Sequence, residues 1–182
     1  MQPTFKQFLT EAPKVRMTHV EDSIIDYGYK GALNSVNYLK QTTEMLEQNG
    51  EGSVDITVKY DGSPAIFVGT NPENGKFFIG TMAIFSKANP GILYTHEDID
   101  NRYGDKPDLT EILHLALNQL PKLNIKGIMQ GDFMFSQSIL KQKTYEGEDY
   151  LTFKPNTITY AIPAHGRLAE TIQKAKMGII FH

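Results

Sequence analysis

The segment Lys59-Tyr60-Asp61-Gly62 places an amine, a carboxylate and a glycine at a spacing that can do chemistry. The residues before it, D-I-T-V, and shortly after it, A-I-F-V-G, are typical of two β-strands, so the segment is predicted to be the loop between them. An amine held at the end of a buried strand becomes nucleophilic near neutral pH once it is desolvated and flanked by other cations. Lys59 is therefore a candidate nucleophile.

The two residues that accompany this lysine have roles of their own. Asp61 follows two residues after Lys59, and side chains alternate along an extended chain, so both lie on the same side. Asp61 can then orient the amine or hold a ribose, and Gly62 permits a tight turn and the close approach of a ligand. Attack on a nucleotide α-phosphate also needs Mg²⁺ and basic groups that neutralise charge in the transition state. The alternative interpretation is a surface lysine followed by an Asp-Gly hairpin turn.

The elements that must position this loop follow from the apolar pattern. Gly28 and Gly31 divide one long helical stretch into two helices, and Asp108 is predicted to cap a later helix. The predicted helices cover 21–48, a short stretch after a capping box at Thr95, 109–120, and a stretch from Arg167. The predicted strands cover 54–58, 65–69, 76–81, 127–135, 150–154, 157–162 and a last one from Gly178. Short turns join consecutive strands, which predicts a mixed α+β fold with mostly antiparallel pairing.

The composition of the 182-residue chain narrows the class of protein. Hydrophobic residues make up 40% and charged residues 21%, as in globular rather than disordered chains. Apolar runs are far shorter than the roughly 20 residues of a membrane helix, so no membrane partner is predicted. Cysteine is absent, which excludes disulfides and thiolate metal sites and suits a reducing cytoplasm. The net charge of −3 does not favour nucleic-acid binding overall, although a polyanion can bind in a local basic groove.

Other site patterns fail or stay ambiguous. The five histidines show no H-x-x-x-H spacing, and neither G-x-G-x-x-G nor G-x-S-x-G is present. Lys154 precedes a rigid turn at Pro155, where it either contacts a phosphate or lies on a solvated hairpin. The acidic residues Glu146, Glu148 and Asp149 form either a metal site or an exposed loop, which is the commoner case.

The segment K-Y-D-G-S-P-A-I-F-V-G from Lys59 resembles motif I of the covalent nucleotidyltransferases, the superfamily of ATP-dependent DNA and RNA ligases and capping enzymes. The signature of that superfamily is K-x-D/N-G, and its lysine carries the nucleotide. RNA ligases often continue with a serine and an apolar strand, as Gly62, Ser63 and the following residues do here. The resemblance implies an antiparallel β-sheet nucleotidyltransferase core of the ligase, ATP-grasp-like kind, with outer helices.

Two further segments resemble later motifs of the nucleotidyltransferases, in the same order along the chain. I-F-S-K-A-N-P-G resembles the S-K segment downstream of the nucleophile, on Ser86 and Lys87, and I-M-Q-G-D-F-M-F resembles the G-E motif, with Asp132 replacing glutamate. The next motif, E-G-x-V-x-K/R, corresponds best to 177–182, with methionine for the acid and histidine for the base, and the final K-x-K does not follow it. The resemblance implies ATP and Mg²⁺ as cofactors. It implies a catalytic Lys59, nucleotide-binding residues Asp61, Gly62, Ser63, Ser86, Lys87 and Asp132, and Asp132 as the metal contact.

The N-terminal segment F-K-Q-F-L-T-E-A resembles the capsid-targeting peptide of contractile-tailed phages, in which a prohead protease cuts after the glutamate of L-x-E. Leu9 and Glu11 match this motif, and Ala12 follows the cleavage point. The alternative is an amphipathic turn packed on the body. A protease can cut only a segment that detaches, so a cleaved leader predicts weak packing of residues 1–11.

The expected organisation is a leader over 1–12 and a nucleotidyltransferase-like domain over 13–182 that continues past its last strand. The whole chain also resembles an uncharacterised family of tailed-phage proteins with K-W/Y-D-G-x-P-A, Q-G-D-F and P-N-T-I-x-Y-A-x-P segments. We expect an ATP-dependent nucleotidyltransferase that forms lysyl–AMP on Lys59 and passes the nucleotide to an RNA or DNA end. One alternative is an internal head protein that lost this chemistry and binds nucleic acid or a host factor; a weaker one is an effector that nucleotidylates host molecules. The expected location is the host cytoplasm or the phage head.

Overall fold

The structure is a computed structural model that describes Phe5, residues 19–47 and residues 59–182. The chain divides into two compact units, one formed by residues 1–12 together with 59–182 and the other by residues 13–58. The predicted strand over 54–58 and the cleavage residues Leu9, Glu11 and Ala12 lie outside the described residues.

The unit of residues 13–58 contains a bent helix, α1, over Asp22–Glu47. Gly28 has φ 58° and ψ −133°, a conformation that L side chains rarely adopt, so the helix is divided there as predicted. The two parts pack closely, because the carbonyl oxygen of Ser23 lies 1.7 Å from where a Cβ atom of Gly31 would be. Both glycines are therefore needed, one for the bend and one for the contact.

The larger unit contains two antiparallel sheets. Its strands are β1 Ala65–Thr70, β2 Phe77–Gly80, β3 Ile128–Ser136, β4 Lys141–Tyr145, β5 Glu148–Phe153, β6 Tyr160–Pro163 and β7 Met177–Phe181. One sheet has the order β2-β1-β3-β7 and the other the order β4-β5-β6, and every named pair is antiparallel. The mixed α+β architecture with antiparallel strands and helices is thus confirmed.

Helices and two apolar clusters support these sheets. The helices of the larger unit are α2 His96–Tyr103, α3 Pro107–Gln119 and α4 Arg167–Lys174. Alternation along β1 directs Ile66 and Val68 to the face that α2 and α3 cover, where they join a fully buried cluster. Phe135 and Phe153 belong to a second cluster, which joins the end of β3 to β5 and α4.

The helix starts agree with the sequence in one case and differ in another. The capping box at Thr95 is confirmed, since its hydroxyl accepts the Asp98 N–H at 3.1 Å and the Asp98 carboxylate accepts the Thr95 N–H at 2.9 Å. The predicted cap by Asp108 is wrong. The helix begins at Pro107, two residues before the predicted start at 109; the fixed φ of proline suits the first helical position, and Asp108 lies in the first turn.

The strand β4 is absent from the sequence-based expectation, because all five of its residues are exposed and show no apolar alternation. The loop expected at the acidic run is correspondingly shorter. Glu146 (φ 52°) and Gly147 (φ 84°) form a tight hairpin turn, and Glu148 and Asp149 already belong to β5. Positive φ at both turn positions is usually signalled by Asn-Gly or Asp-Gly, so the Glu-Gly pair did not predict a hairpin turn here.

Phe5 packs in the core of the larger unit. Its side chain is 3% exposed, and its ring contacts that of Phe78 edge to face at a centroid distance of 5.1 Å. The expectation of weak packing at the N-terminus is therefore wrong at Phe5.

Candidate functional site

The loop that carries the K-x-D-G segment is held against β3, an inner strand of the four-stranded sheet. Ser63 donates its N–H to the carbonyl of Phe133 at 2.9 Å, and Phe133 donates its N–H to the carbonyl of Pro64 at 3.0 Å. These bonds extend the β1–β3 ladder back toward the loop. Gly62 fits here because an added Cβ atom would lie 2.6 Å from the Phe133 carbonyl oxygen. The close neighbour that requires glycine is thus the strand itself.

Asp61 is anchored by the loop between β5 and β6 and by the first residue of β6. Its backbone N–H donates to the hydroxyl of Tyr160 at 2.7 Å. Its carboxylate oxygen Oδ2 accepts hydrogen bonds from Asn156 Nδ2 at 3.0 Å and Thr157 Oγ1 at 3.2 Å. These bonds join residues nearly one hundred positions apart and fix both the backbone and the side chain of Asp61.

Asp132 is the half-buried carboxylate on β3 beside this loop. Burial raises the pKa of Asp132 above its ordinary value, and the nearby charge of Asp61 raises it further. The charges of His182 and Lys59 and the backbone N–H of Gly62 act in the opposite direction, because they favour the carboxylate. The lysine, the two aspartates and the glycine of the predicted site are thus brought together.

Lys59 itself differs from the sequence-based expectation. Its side chain is exposed rather than desolvated, and the charged partner near it is the carboxylate of Asp132 rather than another cation. The two charges interact at a distance without forming an ion pair. The predicted desolvation of Lys59 is therefore wrong, because desolvation depends on what covers the loop and not on the residues next to it in sequence.

Ser86 and Lys87 are placed on the same side of the sheet but are not joined to the loop. They follow Phe85, whose ring contacts that of Phe67 edge to face at 5.0 Å. Phe67 pairs with Gln130 in register, two residues from Asp132, so alternation puts all three side chains on one face. Among the described residues, neither Ser86 nor Lys87 makes a side-chain hydrogen bond or an ion pair, and both are exposed. The Ser63 side chain is exposed as well.

Aromatic rings form a row beside the loop. The ring of Tyr60 lies 6.0 Å from that of Tyr160, which in turn stacks on Phe153 at 5.4 Å with an interplanar angle of 20°. Tyr60 remains 44% exposed, so its ring is accessible to a planar ligand.

Four residues at this site were not identified as site residues from the sequence. Tyr160, Asn156 and Thr157 bind Asp61, and His182 is close enough to Asp132 to act on the pKa of that carboxyl, in the lowering direction. The sequence feature that could have indicated the first three is the polar segment after Pro155, but this segment is equally typical of a solvated hairpin. His182 comes directly after β7, and its N–H donates to the Gln130 carbonyl of β3 at 3.0 Å.

The described parts of the chain (Phe5, 19–47 and 59–182) contain no group of three or more His, Cys, Asp or Glu side chains arranged to hold a metal ion. No helix of those parts is both long and apolar enough to cross a membrane.

Comparison with known proteins shows a family but no function. No curated protein and no solved structure matches the chain. One family profile matches residues 15–182, which is nearly the whole sequence and includes every element of the site. The chain therefore belongs to that family, a family of unknown function designated DUF6267.

Proposed function

We propose that the protein is a covalent nucleotidyltransferase that forms a lysyl–AMP intermediate on Lys59. The observation that carries this proposal is the convergence of Lys59, Asp61 and Asp132 on one end of the β1–β3 pair. Lys59 offers an exposed amine as the nucleophile, and the two carboxylates, one of them half-buried, offer groups that bind a ribose or a metal. The antiparallel sheet that carries them supports a core of the ligase, ATP-grasp-like kind.

The reaction assigns each residue a distinct task. The deprotonated Lys59 Nζ attacks the α-phosphorus of ATP, a P–N bond forms, and pyrophosphate leaves. Asp61 orients the amine or ribose, and Lys87 neutralises phosphate charge. The AMP then passes to the 5′-phosphate of an RNA or DNA strand, and attack by a 3′-hydroxyl joins the ends and releases AMP.

Mg²⁺ fits the residues present. This ion is usually bound through one or two carboxylates together with substrate phosphates and water, rather than by an all-protein cage. Asp132 offers one carboxylate on the sheet, with Asp61 near enough to raise its pKa. When bound, the ion would supply charge neutralisation at the phosphates.

A second candidate function is binding without catalysis, as in an internal head protein of a phage. The hydrogen bonds of Asp61 favour this function. Both bonds to its carboxylate come from the protein's own Asn156 and Thr157, rather than being left for a ligand. In this alternative Asp61 ties the loop to the second sheet, and the protein binds nucleic acid or a host factor. A leader that directs the protein into the head and is cut there by the prohead protease belongs to the same proposal.

Covalent labelling separates the two candidates. The full chain is incubated with α-labelled ATP and Mg²⁺ and run on a denaturing gel. Wild type should carry the label, while Lys59→Ala and Lys59→Arg should not, since a guanidinium stays protonated and is not nucleophilic. Lys126→Ala, at another exposed lysine, is the matched control and should label normally. Equal labelling of wild type and Lys59→Ala excludes the lysyl–AMP mechanism.

A further inference from the structure

A basic cavity lies on the sheet β4-β5-β6. We propose that it binds the phosphodiester backbone of a single-stranded nucleic acid. The cavity has a volume of about 380 Å³, and three lysines border it: Lys141, Lys143 and Lys154. Hydroxyl groups of Ser138, Thr152 and Thr159 complete its polar lining.

The register of the sheet explains why the lysines converge. Lys141 and Lys143 are two residues apart on β4, so they project to the same face. Lys141 lies opposite Thr152 of β5, and Lys154 follows Thr152 by two residues. The other face of β5 carries Leu151 into the core. The three ammonium groups therefore share the outer face of a sheet whose inner face is packed.

The charges at this cavity are uncompensated. No acidic residue is among the described residues that line it, and none of its three lysines forms an ion pair with a described residue. Two carboxylates lie near it without lining it: that of Glu111 accepts from Ser138 Oγ at 3.3 Å at the rim, and Glu148 lies opposite Tyr145 in the register of β4 and β5. Three unpaired cations around one cavity attract an anion, even in a chain with a net charge of −3.

The arrangement favours an extended polyanion over a compact anion. Side chains two residues apart on a strand are separated by about 6.8 Å, a spacing comparable with that of successive phosphates along a nucleic-acid strand. Tyr145 continues the same face of β4 after Lys141 and Lys143, and 67% of its surface is exposed. An exposed aromatic ring in line with lysines offers a stacking surface for a base.

The cavity also adjoins the candidate site through one loop. The segment between β5 and β6 supplies Lys154 and Thr159 to the cavity and supplies Asn156 and Thr157 to the Asp61 carboxylate. A strand bound in the cavity is thus held by the loop that anchors Asp61. The binding itself depends only on the lysines and on Tyr145, and so does not require nucleotide transfer to Lys59.

Fluorescence anisotropy with a labelled single-stranded oligonucleotide tests the proposal on the full chain. Three phosphate contacts predict that log K falls with log salt at a slope of about −2, and Lys141→Gln/Lys143→Gln should reduce it to about −0.7. The matched variant Lys122→Gln/Lys126→Gln changes the same number of exposed lysines elsewhere and should leave the slope unchanged. Tyr145→Ala should weaken binding by at least about fivefold, as stacking contributes 1–3 kcal/mol per base.

Three outcomes overturn the proposal. They are unchanged affinity in Lys141→Gln/Lys143→Gln, an equal loss in both double variants, and displacement of the oligonucleotide by ATP or pyrophosphate as readily as by unlabelled strand. The last would show that the cavity holds a free polyphosphate. Labelling by α-labelled ATP on the same samples is a separate readout. If the wild type binds the oligonucleotide through these lysines but takes no label, the proposal of nucleotide transfer is contradicted and the proposal of a basic binding site is supported.

Discussion

The side-chain amide of Asn156 donates a hydrogen bond of 3.0 Å to the carboxylate of Asp61, across 95 residues of sequence. This bond ties the loop that carries the candidate nucleophile to the loop between β5 and β6. It thereby joins the candidate site to the second sheet. The K-x-D-G segment is thus not a free hairpin turn, and its geometry depends on a distant polar turn.

Removal of that bond should loosen the loop. Asn156→Ala is expected to lower the free energy of unfolding by about 1 kcal/mol, because the Asp61 carboxylate loses one of its two side-chain donors. Urea unfolding measures this change. Asn101→Ala is the matched control, since Asn101 is exposed and its side chain forms no hydrogen bond with a described residue. Equal stabilities of the two variants would show that the bond contributes nothing.

Gly62→Ala should destabilise the protein more than its exposed neighbour Ser63→Ala. The new Cβ atom would lie 2.6 Å from the carbonyl oxygen of Phe133 and 2.7 Å from the Cβ of Asp132. Overpacking against backbone costs about 1–3 kcal/mol, so thermal unfolding should show a clearly lower Tm. Ser63→Ala tests alanine in the same loop without a new contact. If both variants melt with the wild type, the loop does not approach β3 this closely.

Asp132→Asn should change how stability depends on pH. Burial raises the pKa of Asp132 in the folded state, so the folded protein binds this proton more tightly than the unfolded chain does. Its contribution to stability is complete below the unfolded pKa of about 3.9 and is lost as pH rises through the higher folded value. The variant lacks this loss. The unfolding free energy of wild type minus that of Asp132→Asn should therefore decrease between pH 4 and pH 7 in urea titrations.

A ligand role for Asp132 predicts a second effect of the same variant. Saturating nucleotide stabilises a protein that binds it, by about 2.7 kcal/mol at one hundred times Kd. Nucleotide with Mg²⁺ should therefore raise the Tm of wild type, and Asp132→Asn should show a smaller rise. If Asp132→Asn is unfolded without nucleotide and nucleotide does not raise the Tm of wild type, then Asp132 has a structural role and does not bind the ligand.

Phe5→Ala should destabilise the larger unit by about 3 kcal/mol, as expected for truncation of a buried phenylalanine. The reason is that Phe5 is 3% exposed and packs edge to face on Phe78. Deletion of residues 1–11 should then lower the Tm as well. Unchanged Tm values in both variants would restore the interpretation of a loosely attached leader.

The sequence alone determined most local elements of this protein and pointed to the segment that carries the candidate nucleophile. Short apolar runs bounded by turn residues located β1, β2 and β3, because a strand buried on both faces is apolar along its length. Thr95 located the start of α2, because its hydroxyl and the Asp98 carboxylate satisfy backbone N–H groups only three residues apart. Lys59, Asp61 and Asp132 were named from residue type, spacing and resemblance.

Only the tertiary structure decided what surrounds those residues. The strand β4 was not predicted, because an exposed polar strand carries no apolar pattern. The grouping of its lysines into a basic cavity became visible only from the pairing with β5, which places Thr152 opposite Lys141. Tyr160, Asn156 and Thr157 meet Asp61 through pairing of β5 with β6, which short-range spacing does not encode. The exposure of Lys59 and the raised pKa of Asp132 likewise depend on residues that are distant in the sequence. Desolvation and Coulomb interaction depend on distance in space rather than on separation along the sequence.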